Sequence, residues 1–172
     1  NKIKLILNPI KFEINVKTLG PKLIHKKKDI DFEYIKTKIS MRSLITNEFS
    51  LTNLEASTKS LEIKKLISFS RSLKNNLELL VLEKSISKGY LIADIKLDFD
   101  NNGNLEDNFE INGFVKDAKF EILNKYQVEK LNFIFNLNKK NIVLSEIETT
   151  FNGLEFLSDN LSIKKIKDEF HF

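Results

Sequence analysis

The sequence predicts a mainly β protein with a small α part: an antiparallel meander of amphipathic strands with one helical hairpin. Three observations carry this. Apolar residues recur at every second position along most of the 172 residues, the period of a strand with one apolar face. The links between these runs are short and rich in Asn, Gly, Asp and Lys. Such links favour hairpins over the long crossovers that parallel strands need. One stretch alone, Ser60 to Ser87, changes to helical spacing.

The elements follow in order. Ile3, Leu5 and Leu7 alternate with polar residues, as do Ile10, Phe12, Ile14 and Val16. Ile30 and Phe32 begin another run, and Phe49 and Leu51 a shorter one. In the helical stretch Ser60 is placed to cap the N-terminus and Glu62 suits the first turn. Ile63, Leu66, Ile67, Ser70 and Leu73 form a stripe. Asn75-Asn76 predicts a break, Leu77, Leu80 and Val81 a second helix, and Gly89 its stop. Alternation then returns with Leu91, Ala93, Ile95, Leu97 and Phe99. Phe109, Ile111, Gly113 and Val115 follow, then Ala118, Phe120 and Ile122. Leu131, Phe133, Phe135 and Leu137 make a further strand. Ile142 and Leu144, then Ile147, Thr149 and Phe151, make the next, with a change of parity near Ser145 that predicts a bulge. Leu154 and Phe156, then Leu161 and Ile163, complete the series. Turns are predicted at 101–104, 138–141 and 158–160. The chain thus divides into a β segment at 1–56, a helical hairpin at 57–88 and a second β segment at 89–172, all one continuous module. Asn-Gly after an alternating run, at Asn112-Gly113 and Asn152-Gly153, gives a faint echo of a strand-pair repeat.

Composition narrows the function classes. Hydrophobic residues make up 41% and charged residues 30%, enough apolar surface for a core. The net charge of +4 comes from 28 basic and 24 acidic residues spread along the chain, which does not call for nucleic acid. The densest basic cluster, His25-Lys26-Lys27-Lys28, reads as a solvated loop. There are no cysteines, so disulfides and thiolate chemistry are excluded. Fourteen Phe against three Tyr leave most aromatic surface without a polar handle. The chain begins with Asn1, which suggests an internal piece of something longer.

"DFDNNGNLED" at Asp98 to Asp107 opens like a calcium loop. Position twelve, which must be a bidentate Glu, is Phe109, and the flanks alternate like strands. A hairpin turn is the better reading. Lys88-Gly89-Tyr90 begins like the RNA-binding strand of an RNA-recognition motif, yet Ile92 and Ile95 stand where aromatic rings should stack bases. No catalytic motif or metal-ligand spacing is present, so no catalytic residue, metal or cofactor is expected. What remains is the apolar face, which suits either a closed core or an open trough for lipid chains.

Two stretches resemble a known family. "ASTKSLEIKKLISFSRSL" (Ala56 to Leu73) has the STKP-like start of a short helical region, with Ser60 in the place of the usual Pro. "KGYLIADIKLDFDNNGNLEDNFEINGFVKDAKFEIL" (Lys88 to Leu123) carries Gly89, Ala93, Ile95, Leu97 and Phe99 on one strand and Asn102-Gly103 at the turn. It then has Gly113, Val115, Asp117 and Phe120 on the next strand. Together they resemble the AsmA-like envelope proteins (the TamB and YhdP type), best from Ala56 to Leu161. The resemblance implies a periplasmic segment of a longer bridge-like protein, anchored in the inner membrane of a Gram-negative bacterium. Its curved, groove-like sheet would carry phospholipid toward the outer membrane. Leu97, Phe99, Phe109, Ile111, Phe133, Phe135 and Phe151 would line the groove. The implied partners are phospholipid acyl chains, neighbouring β segments of the same parent chain and envelope membrane proteins. The competing expectation is a structural β-sandwich or β-repeat segment of a large scaffold protein with a closed core.

Overall fold

The computed structural model describes residues 2–46, 51–73, 76–122, 125–166 and 169–171. The expected Phe49 lies outside them. The first half contains β1 (Lys2–Asn8), β2 (Glu13–Leu19), β3 (Lys22–His25) and β4 (Lys28–Ser40), then a short helix α1 (Met41–Thr46) and β5 (Leu51–Thr58). A two-residue strand β6 (Leu61–Glu62) precedes the helices α2 (Ile63–Leu73) and α3 (Leu77–Ser85). The second half contains β7 (Ile86–Asp98), β8 (Glu110–Ile122), β9 (Tyr126–Asn138), β10 (Asn141–Phe151), β11 (Leu154–Ile166) and β12 (Glu169–His171).

The strands form one antiparallel sheet in the order β1-β2-β4-β5-β7-β8-β9-β10-β11-β12, with β3 on β4 and β6 on β7 to the side of that path. Among the described residues the first and last strands do not pair with each other, so the sheet is open. Its order follows the sequence because each link is a hairpin or the helical pair, which is the meander that the alternation predicted.

Several boundaries differ from the sequence reading, each for a local reason. Ile10 and Phe12 lie in the turn between β1 and β2, where Phe12 adopts φ 52°. Ser60 does not cap α2, because Leu61 and Glu62 first pair with Leu91 and Tyr90 of β7. The helical hairpin is therefore shorter than 57–88. Gly89 does not stop a helix: α3 ends at Ser85 and Gly89 sits inside β7 at φ 141°. The break between the helices does fall at Asn76, whose side chain accepts a hydrogen bond from the Leu79 N–H at 2.9 Å as the N-cap of α3. Residues 158–160 are not a turn but the middle of β11. The reversal comes earlier, at Asn152-Gly153, with φ of 47° and 85°, the signs of the two-residue hairpin turn that matches strand twist. Asn112-Gly113, by contrast, lies within β8. The two Asn-Gly pairs do different work, and the apparent repeat is not one.

The basic cluster His25-Lys26-Lys27-Lys28 is a turn with Lys26 and Lys27 exposed, as expected, but it is also tied to α2. Lys26 and Lys27 form the β3–β4 turn, both at positive φ. Lys26 and the flanking His25 and Lys28 reach the C-terminal half of α2. Lys28 Nζ donates to the Ser68 carbonyl at 2.9 Å and Lys26 Nζ to the Ser72 carbonyl at 3.2 Å. His25 Nε2 lies 3.2 Å from the same Ser72 oxygen. The Ser72 carbonyl, in the last turn, has no partner within the helix, and the cations around it oppose the negative end of the helix dipole.

The core is small. Ile30, Phe32, Ala56, Leu61 and Phe69 form its buried cluster, with Ile35, Leu54, Leu66 and Ile95 packed around it. Thus α2 lies on one face of the sheet, over β4, β5 and β7. Between the helices Arg71 pairs with Glu83, largely shielded from water. The hydrogen bond from Arg71, helped by Ser68, holds the Glu83 carboxyl below the usual glutamate range.

Four neighbouring strands are bulged along one line. Gly89 in β7, Asp117 in β8, Lys130 in β9 and Glu146 in β10 all have positive φ. The pairing slips between Lys88 and Tyr90, between Val115 and Ala118, and between Ser145 and Glu148. The last is the bulge that the parity change predicted. The Asp117 N–H freed by its bulge donates to Asn132 Oδ1 at 2.8 Å. Each bulge bends its strand and adds twist, so their alignment is consistent with a curved sheet.

Candidate functional site

Antiparallel partners point to the same side of a sheet, so the register assigns every side chain to a face. One row runs Ile3–Thr18–Ile35–Ala56–Ile95–Ile111–Leu137–Ile142–Ile163. It crosses nine neighbouring strands with a single polar residue, Thr18. Parallel to it run Leu5–Val16–Thr37–Leu54–Leu97 and Ala93–Gly113–Phe135–Leu144–Leu161. The next row on the other side of the last contains Leu91, Val115 and Phe133. The apolar face is therefore continuous across the meander.

Only part of it is covered. Beneath α2 the face is dry: Ala56, Ala93, Val115 and Ala118 are all buried. Gly89 is required there, because a Cβ would sit 2.8 Å from Ile63 Cδ1 and 2.9 Å from Ala118 Cα. Away from the helices exposure rises. Ile3 and Leu5 are each 67% exposed on β1, and Leu161 is 40% exposed on β11. Among the described residues no second sheet packs on this face.

The seven predicted groove residues divide into three groups. Leu97, Ile111, Phe133 and Phe135 lie on the continuous face, half-buried and neither sealed nor fully wet. Phe133 and Phe135 hold their rings 6.2 Å apart at 59°. Phe135 fits because position 113 is Gly, where a Cβ would stand 2.7 Å from its ring tip. Phe151 lies beyond the line of bulges. It pairs with Val128 and Leu154 and stacks on Tyr126 at 5.8 Å, with Phe156 edge-on at 6.4 Å. Phe99 and Phe109 lie just outside the strands, at either end of the 99–109 loop, with Phe99 bridged to Leu105. The sequence reading named Ile95, Leu137, Ile142 and Ile163 in its alternating runs but left them out of the groove, and it did not name Ile35 or Leu54. For the first four the alternation was visible, but the cross-strand register that aligns all six was not.

The opposite face is mostly polar, interrupted by the exposed cross-strand pair Phe114–Ile134 and its neighbour Ile92. Its parallel row is Lys4–Lys17–Lys36–Glu55–Lys96–Glu110–Asn138. Glu110 accepts from the side-chain amides of Asn112 and Asn136 at 2.9 and 3.2 Å, which holds its carboxyl below the usual range. The spaced acids of the 98–107 stretch are likewise taken up by amides. Asp100 accepts from the Asn104 side chain at 3.0 Å and from the N–H groups of Asn102 and Asn104 at 2.8 Å, and its pKa is lowered by them. Asp98 accepts from Asn53 at 2.6 Å and Asn108 at 2.8 Å. These bonds close the loop in the way a turn requires. Among the described residues no three His, Cys, Asp or Glu side chains converge as metal ligands, and no helix is long and apolar enough to cross a membrane.

No known family model, curated protein or solved structure matches this chain.

Proposed function

We propose that the continuous apolar face binds the acyl chains of phospholipids, and that the chain is a non-enzymatic groove module of an AsmA-like protein. In that role it conducts lipid between inner and outer membranes for envelope biogenesis, within a periplasmic parent protein anchored to the inner membrane. One observation carries this reading: a row of apolar cross-strand partners spans nine strands and is left half open over most of its length. Burying each lipid CH₂ against such a surface gains about 0.8 kcal/mol. The gain is non-directional, which suits a ligand that slides. The lysines, carboxylates and asparagines of the other face keep that side in water.

A photo-crosslinking amino acid at Phe135 or Ile111, with Asn136 on the opposite face as control, tests the proposal in cells that make the chain. The expected result is phospholipid adducts at Phe135 and Ile111 and none at Asn136. Adducts only to protein at Phe135 and Ile111 would instead indicate the closed core of a structural β segment and overturn the lipid reading.

A further inference from the structure

A second surface lies on the polar face, independent of the acyl-chain reading. Lys4, Lys17 and Lys36 are successive cross-strand partners on β1, β2 and β4. Like charges set directly opposite one another destabilise a sheet, and here three stand in line. Lys38 stands one position along the same face of β4, two residues from Lys36. These four lysines line a hollow of about 250 Å³ together with Asn15, and Glu55 is its single acid. Glu55 pairs with Lys36 at 3.2 Å. Lys17 and Lys36 share one aromatic ring, with their ammonium groups 5.3 and 4.8 Å from the Tyr34 centroid. Among the described residues, Lys4, Lys17 and Lys38 have no carboxylate within ion-pair distance. Tyr34 itself does not line the hollow; with Lys36 paired to Glu55, the uncompensated charge there is that of Lys4, Lys17 and Lys38.

We infer that this lysine ladder is an oxyanion site that takes a phosphate group, either free in solution or carried on a lipid headgroup. Four ammonium groups against one carboxylate give the hollow a local charge of +3, and each ammonium can turn three donors toward the anion. A bound phosphate removes the mutual repulsion of the lysines, so binding and stability are coupled.

The coupling supplies the test. The melting temperature of the purified chain is measured at low ionic strength with pyrophosphate or with sodium chloride of matched ionic strength. The variants are Lys4→Gln/Lys17→Gln and, as a control elsewhere on the surface, Lys139→Gln/Lys140→Gln. Pyrophosphate should raise the melting temperature of the parent and of the control well beyond the salt effect. In the ladder variant that extra rise should vanish, its pyrophosphate affinity should fall at least tenfold, and without the anion it should melt no lower than the parent. Co-sedimentation with phosphatidylglycerol or phosphatidylcholine vesicles distinguishes the sources. Ladder-dependent binding to the anionic vesicles alone assigns the site to a headgroup, and ladder-dependent binding of pyrophosphate assigns it to a soluble phosphate. If pyrophosphate acts no differently from salt and vesicle binding ignores the ladder, the inference is overturned. Equal losses in the control variant overturn it too.

Discussion

At the scale of single residues, two glycines with positive φ separate conformational freedom from space. Gly153 closes the β10–β11 turn at φ 85° and nothing lies within 4 Å of its absent Cβ. Gly89 has φ 141° and its absent Cβ would overlap Ile63 and Ala118. Gly153→Ala should therefore cost only the left-handed backbone penalty, about 1–2 kcal/mol. Gly89→Ala should add an overpacking cost of about 1–3 kcal/mol, because both neighbours are fixed between α2 and the sheet. Urea unfolding of the two variants checks the ranking; equal destabilisation would mean that α2 does not press on β7 as described. The sequence showed Gly89 clearly but suggested the wrong use for it. A glycine after a helical stripe looks like a stop, and its true reason is a close approach from a helix some twenty-five residues earlier. The same limit hid the role of Lys26 and Lys28, whose carbonyl partners Ser72 and Ser68 are at least forty residues away.

At the scale of elements, the line of bulges decides which way each strand half faces. Because side chains alternate with a period of two, one inserted residue exchanges the faces beyond it. Glu146 lets Ile142 and Leu144 on one side of it, and Thr149 and Phe151 on the other, all serve the apolar face. Deleting Glu146 should abolish cooperative unfolding of the β9–β11 region, read by hydrogen exchange. Glu146→Gly keeps the extra residue and relieves the φ of 51°; it should be neutral or stabilising by up to about 1 kcal/mol. If the deletion is tolerated as well as the glycine, the bulge is not what sets the register. This element was legible beforehand, since a parity change is a purely local signal. The bulges at Asp117 and Lys130 were less so. At Asp117 the offset from Val115 to Ala118 resembled the gap between two separate strands. The turn expected at 158–160 failed for the opposite reason: Ser-Asp-Asn has turn chemistry, but neighbouring β10 holds it in register from Ile142 to Phe151.

At the scale of the whole molecule, the mainly β meander and the sidedness of its strands were readable from alternation alone. The candidate site was readable only in part. Phe135 and Ile111 were expected on the apolar side from parity and lie there, whereas the lysine ladder was invisible. Lys4, Lys17 and Lys36 are scattered in sequence and meet only through strand pairing. The apolar row has a further consequence. Its nine strands are separated by eight steps of about 4.8 Å, a length of roughly 38 Å. Outside the stretch at Ile35, Ala56 and Ile95, where α2 packs on the face, the surface repeats nearly unchanged, like a rail rather than a socket. On the acyl-chain reading proposed above, a rail has no fixed stoichiometry: it fills by length, and what it holds is counted in carbon atoms rather than molecules. Fatty acids of eight and sixteen carbons, titrated to saturation, should load in a ratio near two to one by molecule and near equal by carbon. Equal molar loading would indicate discrete pockets instead. Selectivity for chain length is then absent by construction, and any choice among lipids must be made by whatever holds their polar ends.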